Sequence, residues 1–202
     1  MIDLYTWHST NGRRASIILA ESGLEHRIKK VNFATETKDP KFLALNPAGQ
    51  IPVLVDHDGP GGEPVTIAQS AAIALYIAEK SGKLLPRDGA RRAAALQWLM
   101  VAASDVSAAN TAVYFIENET AEKPESILQF FKDRLVRFFS LIDHRLRDRE
   151  FLADELSIAD LVLYPNYFQR KALLDTRSGL ANLHRWGALL GARPGLAKAM
   201  NQ

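Results

Sequence analysis

Polar side chains that could bind an anion are concentrated in two short segments of this 202-residue chain. The first is Ser9-Thr10-Asn11-Gly12, at the predicted start of one helix, and the second is Gln69-Ser70, at the start of another. Hydroxyl and amide side chains at such places most often cap the helix by accepting from its free backbone amides. The same groups can instead hold a thiolate or a carboxylate, because the helix dipole is positive there. The residues alone leave both roles open at both segments.

A proline at the start of a predicted strand marks a third segment. In the run GQIPVLVD, Pro52 follows Ile51 and precedes Val53. Proline removes a backbone donor and fixes φ, so it is tolerated at strand starts, edges and turns. A cis bond would turn the amide and carbonyl of Ile51 sideways and offer a spare strand edge, but only about one X-Pro bond in twenty is cis in folded proteins. Position alone therefore favours a trans proline.

Composition excludes several classes of function. The chain has 25 Lys and Arg against 23 Asp and Glu, so its net charge of +2 gives no bulk attraction to nucleic acid or to membranes. It has no cysteine, so any thiol chemistry needs a borrowed thiol, and its five histidines show no metal-ligand spacing. The start MIDLYTW does not resemble a leader, and no apolar run reaches the roughly 18 residues that a membrane helix needs. We expect a cytoplasmic protein without a metal.

The N-terminal part of the chain alternates β-rich and helical runs. The predicted elements are a strand at Ile2–Trp7, a helix at Gly12–Ser22, a strand at Arg27–Val31, a short helix at Pro40–Leu45, strands at Val53–Asp56 and Pro64–Ile67, and a helix at Gln69–Lys80. The first β-α-β unit implies parallel pairing through a right-handed crossover, and the glycine-rich turn HDGPGGE implies an antiparallel hairpin. This order is typical of a thioredoxin-like domain.

The remainder is helical throughout, which indicates a second domain. Long helices are predicted at Ala90–Glu117 and Pro124–Arg149, and a shorter one at Leu183–Gly191. In the run ELSIADLVLYP, Ser157 and Asp160 have the spacing of a capping box at the start of a buried helix. We therefore expect an α/β domain followed by an all-α helical bundle.

Four motifs in the same order carry a family resemblance. They are MIDLYTW followed by a polar turn and NG, FLALNPAGQIPVLVD, AQSAAIALYIAEK, and LSIADL. Over essentially its whole length the chain resembles cytosolic-type glutathione transferases, and it is most similar to the bacterial Nu class. The resemblance implies a thioredoxin-like, glutathione-binding domain at residues 1–82. It also implies an all-helical domain at residues 88–202 that forms the second-substrate side of the cleft.

The resemblance assigns roles near the glutathione sulfur. It implies a cis bond before Pro52, so that the backbone of Ile51 pairs with the cysteinyl part of glutathione. It places Ser9 and Asn11 close to the sulfur, where they would stabilise the thiolate. Helix capping by Ser9 and Asn11 remains the competing interpretation of these two residues.

The ends of glutathione are expected to contact polar but uncharged side chains. The resemblance places Gln69 and Ser70 at the γ-glutamyl end and Gln50 at the glycyl end. Family members more often carry an acid at the Gln69 position, and Nu-class members tend to carry lysine at the Gln50 position, so two charges are replaced. The candidates for a compensating cation are Arg13, Arg14 and Lys38, whose default role is solvated surface.

Two tyrosines and one aspartate invite a functional interpretation. Tyr114 and Tyr167 are weak candidates for the second-substrate pocket, because their hydroxyls suit a wet cleft, although helically spaced aromatics are more often core. Asp160 is expected to cap a helix rather than to take part in catalysis.

Three functions from different classes follow. The first is a glutathione-dependent reductase of disulfides or organic hydroperoxides, and the second is a conjugating transferase for small hydrophobic electrophiles. The third is a non-catalytic interaction protein that keeps the fold, which the changes at Gln50 and Gln69 favour slightly. The retained Ser9, Asn11, Pro52 and Ser70 favour catalysis. The resemblance also implies a homodimer.

Overall fold

Four short strands form one mixed sheet in the order β2-β1-β3-β4 in a computed structural model, which describes residues 1–201. The strands are β1 (Ile2–Thr6), β2 (His26–Lys30), β3 (Val53–Asp56) and β4 (Val65–Ala68). β1 pairs parallel with β2 and antiparallel with β3, and β3 pairs antiparallel with β4. The predicted parallel pair and terminal hairpin are therefore confirmed. β2 begins one residue earlier than predicted, and β4 begins one residue later.

Three helices accompany the sheet, namely α1 (Thr10–Ser22), α2 (Pro40–Leu45) and α3 (Ser70–Ser81). α1 packs against α3, and both bury aliphatic side chains completely, including Ile17 and Ile18 from α1 and Ile73 from α3. α1 begins two residues earlier than predicted, because Ser9 rather than Asn11 occupies the cap position. It ends at Gly23, whose φ of 76° lies in the left-handed region that glycine adopts without penalty.

The second part of the chain is helical, as predicted. Its helices are α4 (Gly89–Met100), α5 (Ser107–Asn118), α6 (Glu125–Arg145), α7 (Ile158–Asp175) and α8 (Ala181–Gly191). α4 packs against α7, and α5 packs against α6. Their buried faces carry leucine, valine and phenylalanine side chains, among them Leu99, Val113, Leu135 and Phe139. α6 ends four residues before the predicted boundary.

A π-helical segment at Val101–Val106 interrupts the single long helix that the sequence predicts at Ala90–Glu117. The hydroxyl of Ser107 donates to the carbonyl of Ala102, five residues earlier, at 3.0 Å. A side-chain donor placed in the backbone ladder is a known cause of local irregularity in helices. Hydrophobic periodicity carries no signal for such a bond, so the interruption was not predictable from it.

The run Gly89–Asn118 is long and apolar enough, by length and composition alone, to cross a bilayer. This finding differs from the expectation that no apolar stretch reaches that length. Core helices of globular proteins often have the same properties. Here α4 and α5 pack against α7 and α6.

The C-terminal helix α9 (Pro194–Met200) packs against α1. Arg193, at its cap, binds the Glu21 carboxylate through an Nη2 to Oε2 distance of 2.6 Å. The contacts between residues divide the chain into two compact units. One unit comprises residues 1–85 and the segment from Gly191 onward, and the other comprises residues 86–190. The domain predicted at 88–202 includes this C-terminal segment, whereas the contacts group it with the first unit.

Asp160 is completely buried at the start of α7 and accepts four hydrogen bonds. The donors are the backbone amides of Leu152 and Ser157, the Ser157 hydroxyl, and the indole Nε1 of Trp186 at 2.9 Å. Burial raises the pKa of Asp160 to about 6, which leaves the carboxylate ionised at neutral pH. The capping box is present, so the structural role predicted for Asp160 is confirmed.

Replacing Asp160 by alanine should destabilise the helical unit. Asp160→Ala would leave the Leu152 amide and the Trp186 indole buried without acceptors, so we expect a loss of about 2–4 kcal/mol in the free energy of unfolding. Urea unfolding followed by circular dichroism measures it. Asp175→Ala, at an exposed carboxylate, is the control and should change stability little. A loss in Asp160→Ala no larger than in the control would contradict the capping role.

Candidate active site

The register of the sheet brings three polar segments to one edge. Tyr5 of β1 lies opposite Val53 of β3, and Val53 lies opposite Ala68 of β4. The chain that follows β1, the chain that precedes β3 and the chain that follows β4 therefore all emerge at this edge. Ile51 belongs to a buried apolar cluster, and Trp7 and Ala68 pack against that cluster. The three segments are therefore anchored on the same part of the hydrophobic core.

The first segment is a tight turn that leads into α1. Ser9 is the cap residue, and its hydroxyl oxygen accepts from the amide of Gly12 at 3.0 Å. A Cβ at Gly12 would collide with the carbonyl of Trp7 and would lie 2.5 Å from the hydroxyl oxygen of Thr6. Glycine at this position therefore allows α1 to begin directly against the end of β1. The capping interpretation of Ser9 holds, and its hydroxyl proton is still available for donation.

Arg14 joins the starts of α1 and α3. Its Nη1 donates to the side-chain oxygen of Asn11 at 2.8 Å and lies 3.4 Å from the hydroxyl oxygen of Ser70. Asn11 is exposed, whereas Arg14 and Ser70 are buried, with 2% and 7% of their surface exposed. Two of the predicted site residues, far apart in sequence, are thus held through one guanidinium.

Arg14 is one of the three candidate cations named from the sequence, but its burial and its contacts with Asn11 and Ser70 were not predicted, because arginine is expected on the surface. Burial lowers its pKa to about 10, since it disfavours the charged form. The guanidinium is therefore still positively charged at neutral pH. Neither α1 nor α3 has an acidic residue in its first turn, so this charge adds to the positive ends of two helix dipoles. Only the spacing of Asn11 and Arg14, three residues apart on one helix face, hints at their contact.

The second segment leads into β3 through a cis peptide bond between Ile51 and Pro52, as the family resemblance implies. The strand pairings of β3 begin at Val53, so neither β1 nor β4 pairs with Ile51 in the sheet. Asn46 shapes the preceding loop, because its side-chain amide donates to the carbonyl of Gln50 at 2.7 Å. The Gln50 side chain is exposed.

The third segment begins α3. Gln69 has a φ of 74°, a backbone region that residues other than glycine seldom adopt. Such strain is common at ligand sites. The Gln69 side chain makes no capping hydrogen bond to α3, so it does not occupy the first-turn amides of that helix. Ser70 follows directly, so a hydroxyl and backbone amides lie at the positive end of the helix.

The two tyrosines lie in different surroundings within the helical unit. Tyr114 is 40% exposed, and its hydroxyl is 3.4 Å from a carboxylate oxygen of Glu119. Tyr167 is only 4% exposed, and its hydroxyl lies 3.2 Å from Nδ1 of His184. The Tyr167 ring also packs edge-on against Trp186, an arrangement typical of a core side chain.

The groups at this edge can bind an anion, but the chain supplies no nucleophilic thiol of its own. Hydroxyl, amide and guanidinium donors converge with two helix N-termini, and these groups stabilise a thiolate or a carboxylate. Residues 1–201 contain no cluster of histidine and carboxylate side chains that could hold a metal ion. A bound thiol would supply the nucleophile that the sequence lacks.

Comparisons with known proteins identify the family. A family model described as "Glutathione S-transferase, N-terminal domain" matches residues 8–80. The disulfide-bond oxidoreductase YfcG of Escherichia coli is 30% identical over 206 residues, which cover 99% of this chain and 94% of the relative. The chain belongs to the glutathione S-transferase superfamily. The matched range includes all three segments of the candidate site.

Two solved glutathione transferases have the same fold. The one from Pseudomonas putida, with one glutathione disulfide bound per subunit, matches with a TM-score of 0.91 and 30% identity over 98% of this chain and 90% of that chain. The one from Burkholderia graminis, with two glutathione molecules bound per subunit, has a TM-score of 0.93 and 28% identity over 100% of this chain and 88% of that chain. The predicted fold class, a thioredoxin-like domain followed by a helical domain, is confirmed.

A side chain at position 12 should damage the site and the fold together. Gly12→Ala forces its Cβ against the Trp7 carbonyl, so we expect a loss of about 1–3 kcal/mol in the free energy of unfolding. Chemical denaturation measures it. Gly89→Ala is the matched control, because a Cβ there meets nothing within 4 Å, and it should be neutral or slightly stabilising. Equal stability of the two variants would contradict the close approach at Gly12.

Proposed function

We propose that this glutathione S-transferase binds glutathione at the edge formed by the three segments and uses its thiolate to reduce disulfides. The observation that carries the proposal is the convergence of Asn11 and Ser70 on Arg14, at the starts of α1 and α3. It creates a donor-rich, positively charged edge in a chain without cysteine. Such an edge suits glutathione, because that ligand carries two carboxylates and the thiol that the chain lacks.

Each part of glutathione has a complementary group at this edge. The γ-glutamyl carboxylate binds the first amides of α3 and the hydroxyl of Ser70. The cysteinyl backbone pairs with the backbone of Ile51 beside cis-Pro52, which the sheet does not use. Gln50 contacts the glycyl end, and Gln69 offers the amino group a neutral acceptor in place of a charged one. The sulfur lies beside Ser9 and Asn11, at the start of α1.

The thiol must lose its proton near neutral pH to be reactive. Its reference pKa is about 8.5, and lowering it by about 2 units needs roughly 2.7 kcal/mol of preference for the thiolate. Two hydrogen bonds to the thiolate together with the dipole of α1 are sufficient, since a hydrogen bond to a charged group contributes about 1.5–3 kcal/mol and the dipole up to about 1 kcal/mol. Ser9 and Asn11 supply the side-chain donors.

The reduction takes place in two thiol exchange steps. The glutathione thiolate attacks one sulfur of the substrate disulfide, which forms a mixed disulfide and releases the other half as a thiolate. A second glutathione thiolate then attacks the glutathione sulfur of the mixed disulfide, which yields glutathione disulfide and the second substrate thiolate. Two glutathione molecules are oxidised and one disulfide is reduced to two thiols, once the released thiolates are protonated.

Two findings on similar proteins support disulfide reduction over the other reactions of the superfamily. The relative YfcG is a disulfide-bond oxidoreductase, and the Burkholderia graminis structure holds two glutathione molecules per subunit. The same thiolate could attack an organic hydroperoxide. That step gives an alcohol and a sulfenic acid on glutathione, which a second glutathione converts to the disulfide and water.

The proposal predicts a glutathione-dependent disulfide reductase activity that requires Asn11. With a small aliphatic disulfide as substrate and glutathione reductase to report the oxidised product, Asn11→Ala should lower kcat/KM at least about tenfold, because it loses a hydrogen bond to a charged sulfur. Asn201→Ala is the matched control, since Asn201 is exposed and lies at the end of α9. It should retain the activity of the unmodified protein.

Assays of the same protein with other substrates distinguish the remaining functions from disulfide reduction. Turnover of an activated aryl halide without turnover of disulfides would replace the proposal with a conjugating transferase. A folded protein with no activity on disulfides, hydroperoxides or electrophiles would contradict catalysis and favour an interaction protein.

A further inference from the structure

The contact between Arg14 and Asn11 fixes which atom of the Asn11 amide faces the ligand. A guanidinium has only donors, so the Asn11 atom 2.8 Å from Nη1 of Arg14 must be the acceptor oxygen. The NH2 group of Asn11, which lies in the same plane on the opposite arm of the amide, then points away from Arg14. We propose that Arg14 is a positioning residue that turns the Asn11 amide so that its N–H group donates to the glutathione thiolate.

The same guanidinium orients the hydroxyl of Ser70. Nη1 of Arg14 lies 3.4 Å from the Ser70 oxygen, which accepts from it. The hydroxyl proton of Ser70 is then directed elsewhere and is available to a carboxylate. One buried cation thus occupies the acceptor atoms of two groups and leaves their donors for an anionic ligand. The inference rests on the proposed function, because it specifies how the glutathione site is organised.

Burial and charge make Arg14 suited to this role. With 2% of its surface exposed, the side chain cannot move freely, so Asn11 is held although it is itself exposed. Ser9 needs no such support, since its oxygen already accepts from the Gly12 amide. The positive charge strengthens both hydrogen bonds and polarises the Asn11 amide toward a better donor. Arg14 therefore acts on the sulfur through Asn11 rather than by contact.

The test is the pH dependence of the bound thiol. The ultraviolet absorbance of the thiolate, titrated with pH in the presence of saturating glutathione, gives the pKa of the bound thiol. Arg14→Met removes the guanidinium but keeps a long side chain, and we expect it to raise that pKa by about one unit, a tenfold loss of thiolate below the midpoint. In the Asn11→Ala background the same change should raise the pKa by clearly less than one unit, because only the direct effect of the charge remains when the Asn11 amide is missing.

A charge-matched control separates orientation from general electrostatics. Lys29→Met removes one positive charge from an exposed position on β2, and it should leave the pKa of the bound thiol unchanged. An equal rise for Arg14→Met in both backgrounds would show a direct effect of charge and overturn the inference. No rise in a folded Arg14→Met protein would overturn it as well.

A second measurement does not depend on a buried substitution. In isotope-labelled unmodified protein, the side-chain amide resonances of Asn11, assigned through their loss in Asn11→Ala, should shift on glutathione binding and titrate with the bound thiol. Glutathione binding without such a shift would overturn the inference together with the sulfur contact assigned to Asn11, while glutathione binding at this edge and disulfide reduction would stand. A protein that binds no glutathione would overturn both.

Discussion

The antiparallel pairing of β1 with β3 is the constraint on which the candidate site depends. It sets Tyr5 opposite Val53, and the hairpin then sets Val53 opposite Ala68, so that three loops emerge at one edge of the sheet. A shift of one residue would turn the buried side chains of these strands toward the opposite face. The apolar cluster around Ile51 and Val53 fixes the register, because those side chains can be buried on one face only. The positions of the polar groups follow from the packing of apolar ones.

Helix starts at this edge are built by different means. α1 begins tightly because Gly12 has no side chain and Ser9 provides the cap, whereas α3 begins directly after Gln69, a residue with positive φ whose side chain does not cap the helix. α7, in the helical unit, shows the contrasting case, where Asp160 satisfies four buried donors and has a purely structural role. Polar residues at the helix starts therefore cap α1 and α7, whereas the side chain of Gln69 leaves α3 uncapped.

Much of this organisation could be predicted from the sequence. Periodicity and turn residues gave the four strands and the helices α1, α2 and α3 to within one or two residues, and the spacing of Ser157 and Asp160 gave the capping box, whereas α9 was not predicted. The cis bond before Pro52 needed the family resemblance, because position alone favoured trans. The burial of Arg14 was not predictable, since its partner Ser70 is 56 residues away and arginine normally lies on the surface. Arg193, at the cap of α9, pairs with Glu21 of α1, and the two residues are 172 positions apart in the sequence. Local sequence patterns carry no information about a contact of that separation.

We propose that this edge of the sheet binds glutathione with its thiol ionised. Calorimetric titration of the protein with reduced glutathione near neutral pH, repeated in buffers with different ionisation enthalpies, measures both the affinity and the protons released on binding. We expect binding in the micromolar to low-millimolar range with release of a substantial fraction of one proton, because the proposed site lowers the pKa of the thiol. S-methylglutathione, which has no thiol proton, should bind without that release. Binding of both ligands with equal proton exchange, or no binding to the folded protein, would rule out an ionised glutathione thiol at this site.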